Sequence, residues 1–301
     1  MKCDTLWLRA HLIRSIRDFF WERGFLEVET PLLIPANAPE EHIHPISALP
    51  FQLQTSPEIC MKRLLCKGHR RLFQISHCWR AGERGSRHLS EFTMLEWYRA
   101  DSDYQALMTD CEELLQHVAT VCLADNPIYR HNSRTIDPFR PWRRIKVQEA
   151  FLRFGHADVR DCLHKGIYEE VLTRLVEPGL AGYPEPVILM DYPSGLAALA
   201  RLKPGQTEVA ERFELYLGGL ELANGFSELN DPGEQRLRFE EANRMRRKNG
   251  ITPLPLPEPF LRELADMPAA AGIALGIDRL VMLAAGADSI DAVVAFTPEE
   301  L

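Results

Sequence analysis

Residues 71–99 read RLFQISHCWRAGERGSRHLSEFTMLEWYR, which is two apolar runs separated by a polar loop with two glycines. Both runs, 71–80 and 91–99, are rich in β-branched, aromatic and other apolar residues that favour strands. Two strands joined by one loop predict an antiparallel pair. The loop lies at the surface in such a pair and is therefore free to carry functional side chains.

The second strand of this pair places one carboxylate among apolar neighbours. Alternate side chains of a strand face opposite sides, so Phe92, Met94, Glu96 and Tyr98 share one face. A buried carboxylate is costly unless a cation or hydrogen-bond donors meet it. We therefore expect a positively charged group to bind at Glu96.

Residues 213–231, FELYLGGLELANGFSELND, indicate a β-hairpin. A tight two-residue turn needs positive φ angles, which Gly218 and Gly219 adopt at little cost. That turn would pair Leu217 with Leu220 and Tyr216 with Glu221.

The same hairpin brings carboxylates together. Glu214 would lie on the face of Glu221, with Asn224 and Glu228 following along the second strand. Two carboxylates on one face can hold Mg²⁺ together with phosphate oxygens. A solvent-exposed acidic face explains this stretch equally well.

Two further segments have functional and structural interpretations. In AAAGIALGIDRLVMLAAGA (269–287), Gly272 and Gly276 allow close backbone approach, Asp278 can open a helix, and Arg279 can meet a phosphate. Packing explains these glycines too, since the segment matches neither the Walker loop nor GxGxxG. The loop after residue 79 and the start of the next strand contain positive groups and an aromatic ring that could bind a nucleotide: Arg80, Arg84, Arg87, His88 and Phe92. The alternative interpretation is a mobile charged loop without a ligand. For Arg84 this alternative is favoured.

The remaining pattern predicts the fold class. Thr5 can cap a helix that ends near Gly24, and further helices are predicted over 57–67 and 103–123. Two segments are predicted to be strands: FLEVET (25–30) and PVILMDYP (186–193). TPLPLPEPF (252–260) reads as a loop. Because regular βαβ alternation is missing, we predict an α+β fold in which an antiparallel sheet is flanked by helices.

Composition limits the classes of function. Of the 301 residues, 46% are hydrophobic and 26% are charged, which is ordinary for a globular enzyme. A net charge of −8 argues against a broad nucleic-acid-binding surface. No apolar run approaches the roughly 20 residues that cross a bilayer and no signal-peptide core is present, so we expect a cytoplasmic protein. Seven cysteines without a CxxC pair indicate neither a zinc site nor a disulfide framework.

Three segments resemble the signature motifs of class II aminoacyl-tRNA synthetases. They are GFLEVETP (24–31), the segment from Arg80 to Trp97, and GIALGIDR (272–279). Four further segments place the resemblance in the lysine branch of this class: TSPE (55–58), FTMLEWY, ELANGFSELND and GIDRL. The resemblance extends over nearly the whole chain. The chain is most similar to truncated lysyl-tRNA synthetase paralogues that modify elongation factor P.

This resemblance implies an organisation and a reaction. We expect residues 1–301 to form a single catalytic domain without an N-terminal anticodon-binding domain, dimerised through the first motif with Pro31 near the interface. The implied reaction is ATP-dependent activation of (R)-β-lysine, or lysine, as an adenylate, followed by transfer to a lysine side chain of elongation factor P. The implied cofactors are ATP and Mg²⁺, and tRNA is not an expected partner.

The resemblance also assigns roles to residues. Arg80 and Arg279 would be the catalytic residues. Arg80 would bridge the substrate carboxylate and the α-phosphate, and Arg279 would hold the γ-phosphate. Other residues implied at ATP are Ala81, Gly82, Arg87, His88, Leu89, Phe92, Glu214, Leu215 and Gly276. Those implied at the amino acid are Ser56, Pro57, Glu58, Glu96, Tyr98, Glu221, Asn224, Glu228 and Ala274. Glu214 and Glu221 would hold Mg²⁺ or lie beside the substrates.

Three positions depart from the family pattern. Gly82 stands where a carboxylate is usual, Leu89 where an asparagine is usual, and Ala274 where lysyl-tRNA synthetases have glycine. We expect Ala274 to change the shape of the amino-acid pocket, with helix-preceding packing as the alternative. Two other functions remain open: a stand-alone amino-acid-activating or amide-forming ligase, and a nucleotide-binding paralogue with impaired catalysis.

Overall fold

One large sheet organises the fold. In the computed structural model, which describes residues 2–123 and 125–301, nine strands form a mixed sheet. The described residues contain fourteen strands in all: β1 (Leu26–Glu27), β2 (Leu33–Ile34), β3 (Ser47–Ala48), β4 (Phe51–Leu53), β5 (Arg71–Trp79), β6 (Glu91–Ala100), β7 (Tyr129–His131), β8 (Arg134–Ile136), β9 (Arg143–Lys146), β10 (Val187–Pro193), β11 (Leu202–Lys203), β12 (Gln206–Leu217), β13 (Leu220–Ser227) and β14 (Ala270–Gly276). Strands β2, β3 and β4 form a second sheet, and β7 and β8 form a third. The helices are α1 (Lys2–Glu22), α2 (Glu58–Cys66), α3 (Tyr104–Cys122), α4 (Val147–Ala150), α5 (Val159–His164), α6 (Tyr168–Val171), α7 (Glu177–Leu180), α8 (Pro232–Lys248), α9 (Glu258–Glu263) and α10 (Ile277–Ala285).

The sheet has the order β1-β5-β6-β14-β13-β12-β10-β9, with β11 beside β12. Its pairs are antiparallel except for β1 with β5 and β9 with β10, which are parallel. The predicted α+β class is therefore confirmed. The predicted hairpin is also present, because Leu217 pairs with Leu220 and Tyr216 with Glu221 across the two-glycine turn.

The two faces of β6 separate the core from a cavity. Leu95 and Trp97 point into the main apolar core, where α1, α3 and α10 cover the sheet. Full burial of side chains of this size contributes about 1.5–3 kcal/mol each. Met94, Glu96 and Tyr98 point to the other face and line the cavity. The alternation predicted for this strand is confirmed.

Two further apolar clusters support the walls of the fold around the cavity. Helices α4 to α7 pack against β9, β10 and β12 around Phe151 and Tyr168, whose rings stack with centroids 4.9 Å apart. On the cavity side, α2, α8 and α9 enclose Met61, Phe239 and Phe260. These helices hold the walls of the cavity in place.

Three local predictions were wrong. Helix α1 begins at Lys2, so Thr5 lies within the helix, where its hydroxyl donates to the Ala292 carbonyl at 3.1 Å. Strand β1 covers only Leu26–Glu27 of the predicted 25–30. The end of the predicted 252–260 loop is helical, since α9 accepts Pro259 in its first turn, where no backbone N–H is needed. Among the described helices, none is both long and apolar enough to cross a membrane.

Candidate active site

A cavity of about 380 Å³ opens on the sheet face that α1, α3 and α10 leave uncovered. Strands β6, β12, β13 and β14, the start of α2 and the loop between β5 and β6 supply its walls. Most of the predicted site residues line it: Ser56, Glu58, Arg80, Arg87, His88, Leu89, Phe92, Glu96, Tyr98, Glu214, Glu221, Asn224, Ala274, Gly276 and Arg279. The fold therefore gathers residues from across the sequence around one space.

One end of the cavity holds a carboxylate oriented by two hydroxyls. Ser56 Oγ donates to Glu96 Oε1 at 2.5 Å, and Tyr98 OH donates to Glu96 Oε2 at 2.8 Å. Burial and the nearby Glu58 raise the pKa of Glu96 to about 7. Among the described residues, no lysine or arginine forms an ion pair with Glu96. This end can therefore receive an ammonium group from a ligand.

A buried lysine, which the sequence analysis missed, lies behind this end. Lys62 Nζ is 2.5 Å from Glu58 Oε1 and 2.5 Å from Glu228 Oε2. Burial alone would lower the pKa of Lys62, but the two carboxylates raise it above its usual value. Glu228 thus supports the wall through Lys62 instead of lining the cavity. The ammonium of Lys62 pairs with two carboxylates and leaves Glu96 without a cation, so this end attracts a further cation.

The opposite end of the cavity is cationic. Arg279 Nη1 donates to the Glu221 carbonyl at 2.7 Å, and its Nη2 lies 2.6 Å from His88 Nε2. Burial and the charge of Arg279 lower the pKa of His88 to about 4, so a neutral imidazole accepts this hydrogen bond. The Arg80 guanidinium lies 5.1 Å from the centroid of the Phe92 ring. Guanidinium groups beside an aromatic ring suit phosphates and a base.

The hairpin of β12 and β13 supplies two carboxylates between these ends. Glu214 accepts hydrogen bonds from Arg212 Nη2 at 2.6 Å and from Tyr216 OH at 2.7 Å. Burial and Glu214 raise the pKa of Glu221 to about 7, although 38% of the Glu221 side chain is exposed. Arg212 was missed, although it lies two residues before Glu214 on β12 and strand alternation places both side chains on the same face.

Strand β14 forms the floor beside the carboxylate end. Gly272 pairs with Tyr98 on one side and Phe226 on the other, and Ala274 pairs with Glu96 and Asn224. A Cβ atom at Gly272 would overlap the Tyr98 ring and the Glu228 carboxylate. Glycine is therefore required there, whereas the methyl group of Ala274 faces the cavity.

Several predicted residues lie elsewhere. The side chain of Leu215 is buried in the main core, so only its backbone can reach a ligand. Pro57 precedes α2, and the Ala81 N–H donates to the His44 carbonyl at 2.7 Å. Gly82 adopts the left-handed conformation with a φ of 80°. None of these four residues lines the cavity.

Contacts outside the cavity hold the loop between β5 and β6. Arg84, for which the structural interpretation was favoured over nucleotide binding, does not line the cavity. It binds Glu299 through two hydrogen bonds of 2.9 Å and also binds Asp291. Leu89 is only 5% exposed and packs in the main core. The C-terminal segment and the core thus fix the loop from two sides.

Comparison with known proteins shows the family of this chain. Residues 2–300 match the family model described as tRNA synthetases class II (D, K and N). A Mannheimia succiniciproducens protein named "Elongation factor P--(R)-beta-lysine ligase" is 41% identical over 97% of this chain and 94% of the relative. A protein of the same name from Vibrio vulnificus is 37% identical over 97% of this chain and 95% of its own length. Another, from Klebsiella pneumoniae, is 39% identical over 96% of this chain and 93% of its own length.

Proposed function

Because the chain belongs to the class II tRNA synthetase family (D, K and N), we propose that it is an ATP-dependent ligase for elongation factor P. In this proposal it activates (R)-β-lysine as an adenylate and transfers the acyl group to a lysine side chain of that protein. One observation carries the proposal: the cavity has a carboxylate end at Glu96 and a guanidinium end at Arg279. Such a cavity suits a cationic amino acid in line with a polyphosphate.

The amino acid lies at the carboxylate end. An ammonium group of the substrate binds Glu96, whose two oxygens are already fixed by Ser56 and Tyr98. The substrate carboxylate then points towards Arg80. A carboxylate oxygen attacks the α-phosphorus of ATP. The bond between the α-phosphorus and the oxygen that bridges to the β-phosphate breaks, and pyrophosphate leaves. Arg80 stabilises the charge that develops on the α-phosphate oxygens.

ATP, a substrate of this reaction, lies at the guanidinium end. Arg279 holds the terminal phosphate, with His88 fixing the guanidinium through the 2.6 Å contact. Arg87 lies on the same wall of the cavity, and Phe92 offers its ring to the adenine. Because His88 is neutral, it orients Arg279 without competing with it for the phosphate charge.

The donor set also fits Mg²⁺. Glu214 and Glu221 present oxygen ligands of the kind this ion prefers. Burial raises the pKa of Glu221 first, and the nearby Glu214 raises it further. Among the described residues, no cluster of three or more metal-ligating side chains occurs. Phosphate oxygens of ATP would therefore complete the coordination. When bound, the ion would neutralise charge on the departing pyrophosphate.

We further propose that the chain acts in the cytoplasm as a homodimer. Exposed apolar side chains, which include Leu26, Leu32, Leu33 and Phe51, surround the first motif. Each of these four side chains is at least 41% exposed. Within the chain, Leu33 of β2 pairs with Leu53 of β4. Exposed apolar side chains of this size favour association with a second copy.

Two measurements on the purified protein test the proposed reaction. The first is ATP–pyrophosphate exchange with (R)-β-lysine, L-α-lysine, aspartate or no amino acid. We expect exchange to be fastest with (R)-β-lysine. The second is the mass of elongation factor P after incubation, which should rise by one β-lysyl group. Exchange with aspartate alone, or no exchange with any amino acid, would contradict the proposal.

A further inference from the structure

A second cavity meets the catalytic cavity at one wall. This α8 groove, of about 990 Å³, lies between residues 39–42, residues 194–202 and helix α8. Glu40, Ala198, Leu199 and Arg212 line both spaces. The wall they form is thus the place where a group entering from the groove would first meet an adenylate in the catalytic cavity.

Glu40 differs from the other acidic residues of the catalytic cavity. The other acidic side chains that line it each have a hydrogen-bond or ion-pair partner: Glu58, Glu83, Glu96, Glu214, Glu221 and Asp278. Within residues 2–123 and 125–301, the Glu40 carboxylate has neither. It is half-buried and faces both cavities. An unpaired carboxylate in such a place is suited to receive a cation or a proton.

The backbone of Glu40 is nevertheless held in place. Arg246 Nη1 donates to the carbonyls of Glu40 at 2.9 Å and Ile43 at 3.0 Å. The carbonyl of His44 accepts from the N–H of Ala81, the residue that follows Arg80. The carboxylate is therefore positioned by its main chain and remains free to act.

The transfer step requires a group of this kind. A lysine side chain has an ordinary pKa of about 10.4, so the acceptor arrives as an ammonium ion without a nucleophilic lone pair. We propose that Glu40 is a further catalytic residue, the base that deprotonates the acceptor lysine entering from the α8 groove. This inference rests on the proposed function and deepens it.

The step balances as follows. The ammonium proton passes to a Glu40 oxygen, and the freed nitrogen lone pair forms a bond to the carbonyl carbon of the adenylate. The bond between that carbon and the phosphate oxygen breaks, and AMP leaves with the electron pair. The second nitrogen proton leaves with the AMP phosphate, and the product is an amide.

The surroundings of Glu40 support this role. Burial and Glu58 raise the pKa of Glu40 to about 7, while Arg80, Arg212 and Lys62 lower it. A carboxylate with a pKa near neutrality is more basic than an ordinary one and is still ionised in a large fraction of molecules. The carboxylate of Glu96, by contrast, is engaged by two hydroxyls.

The test separates activation from transfer with the variant Glu40→Gln. We expect ATP–pyrophosphate exchange with (R)-β-lysine to stay within about twofold of the unmodified protein. Transfer to elongation factor P in a single turnover should fall about 100-fold or more, as is typical when a general base is lost. Hydroxylamine, which is largely uncharged at neutral pH, should still release the acyl group at the unmodified rate.

Two further variants serve as controls. Glu22→Gln makes the same change on the exposed surface of α1 and should affect neither step. Glu40→Asp keeps a carboxylate and should restore part of the transfer rate. Equal losses of exchange and transfer in Glu40→Gln would instead place Glu40 at the activated amino acid, and unchanged transfer would exclude it as the base. If the unmodified protein shows no exchange, the proposed function fails together with this one.

Discussion

Lys62 Nζ lies 2.5 Å from Glu228 Oε2, and only 1% of the lysine side chain and none of the glutamate side chain are exposed. Water cannot replace either partner at this depth. Removing one member of a buried ion pair leaves an uncompensated charge, which is strongly unfavourable. The pair also fixes Glu58, the second carboxylate that contacts Lys62. The wall of the amino-acid end therefore depends on one lysine.

Replacing this lysine tests that dependence. We expect Lys62→Met to lower the free energy of unfolding by about 3–5 kcal/mol, since Glu58 and Glu228 would remain buried without their cation. Urea denaturation followed by circular dichroism measures the change. Lys67→Met, at an exposed position just after α2, is the matched control and should change stability by less than about 0.5 kcal/mol. A loss below 1 kcal/mol in Lys62→Met would show that the carboxylates become neutral by protonation, as the pKa of Glu228, which burial raises to about 8, allows.

The raised pKa of Glu96 predicts how substrate binding depends on pH. With a pKa of about 7, Glu96 is largely neutral at pH 6 and ionised at pH 8. An ammonium group binds the ionised form, so the KM for (R)-β-lysine should rise about tenfold as the pH falls from 8 to 6. The ε-amine of the substrate stays charged over this range. Glu96→Gln should bind more weakly throughout and lose this pH dependence. An unchanged profile in the variant would assign the titration to another group.

A methyl group at Gly272 should disrupt the amino-acid end selectively. The added Cβ would overlap the Tyr98 ring, and moving the ring would break its hydrogen bond to Glu96. We expect Gly272→Ala to raise the KM for the amino acid about tenfold or more, which corresponds to about 1.4 kcal/mol. The KM for ATP, bound at the other end, serves as the internal control and should change less than twofold. Parallel changes in both constants would indicate a general distortion of β14.

Ala274 provides a test of substrate choice. Its methyl group lies on the cavity floor between Glu96 and Asn224. Removing one carbon from a pocket wall typically changes discrimination by about 1–3 kcal/mol. We expect Ala274→Gly to raise kcat/KM for L-α-lysine relative to (R)-β-lysine about tenfold or more in pyrophosphate exchange. Ala269→Gly, at an exposed position before the same strand, should leave the ratio unchanged. A ratio unaffected by Ala274→Gly would favour the packing interpretation of Ala274.

The main features of the sheet follow from local patterns in the sequence. The two glycines at 218 and 219 determined the hairpin register, and the period-two alternation in residues 91–98 placed Glu96 on the cavity face. These predictions succeeded because a turn and a strand are defined by neighbouring residues.

The missed features depend on contacts between distant segments. Nothing in MKRLL (61–65) indicates that Lys62 is buried between Glu58 and Glu228, because the second partner is 166 residues away in the sequence. Glu40 also looks like part of an ordinary polar loop, and only the fold places it between two cavities. The wrong cap at Thr5 has a different cause, since a good capping residue is also tolerated inside a helix that tertiary packing extends.

Leu89, which stands where a polar ligand contact is usual in the family, is anchored in the hydrophobic core. The conformational entropy of the nucleotide-binding loop is therefore lost when the chain folds, before any ligand arrives. ATP then docks onto a surface that is already formed, and its association rate should show little dependence on loop rearrangement. An apolar side chain buried in the core can in this way still favour capture of the nucleotide.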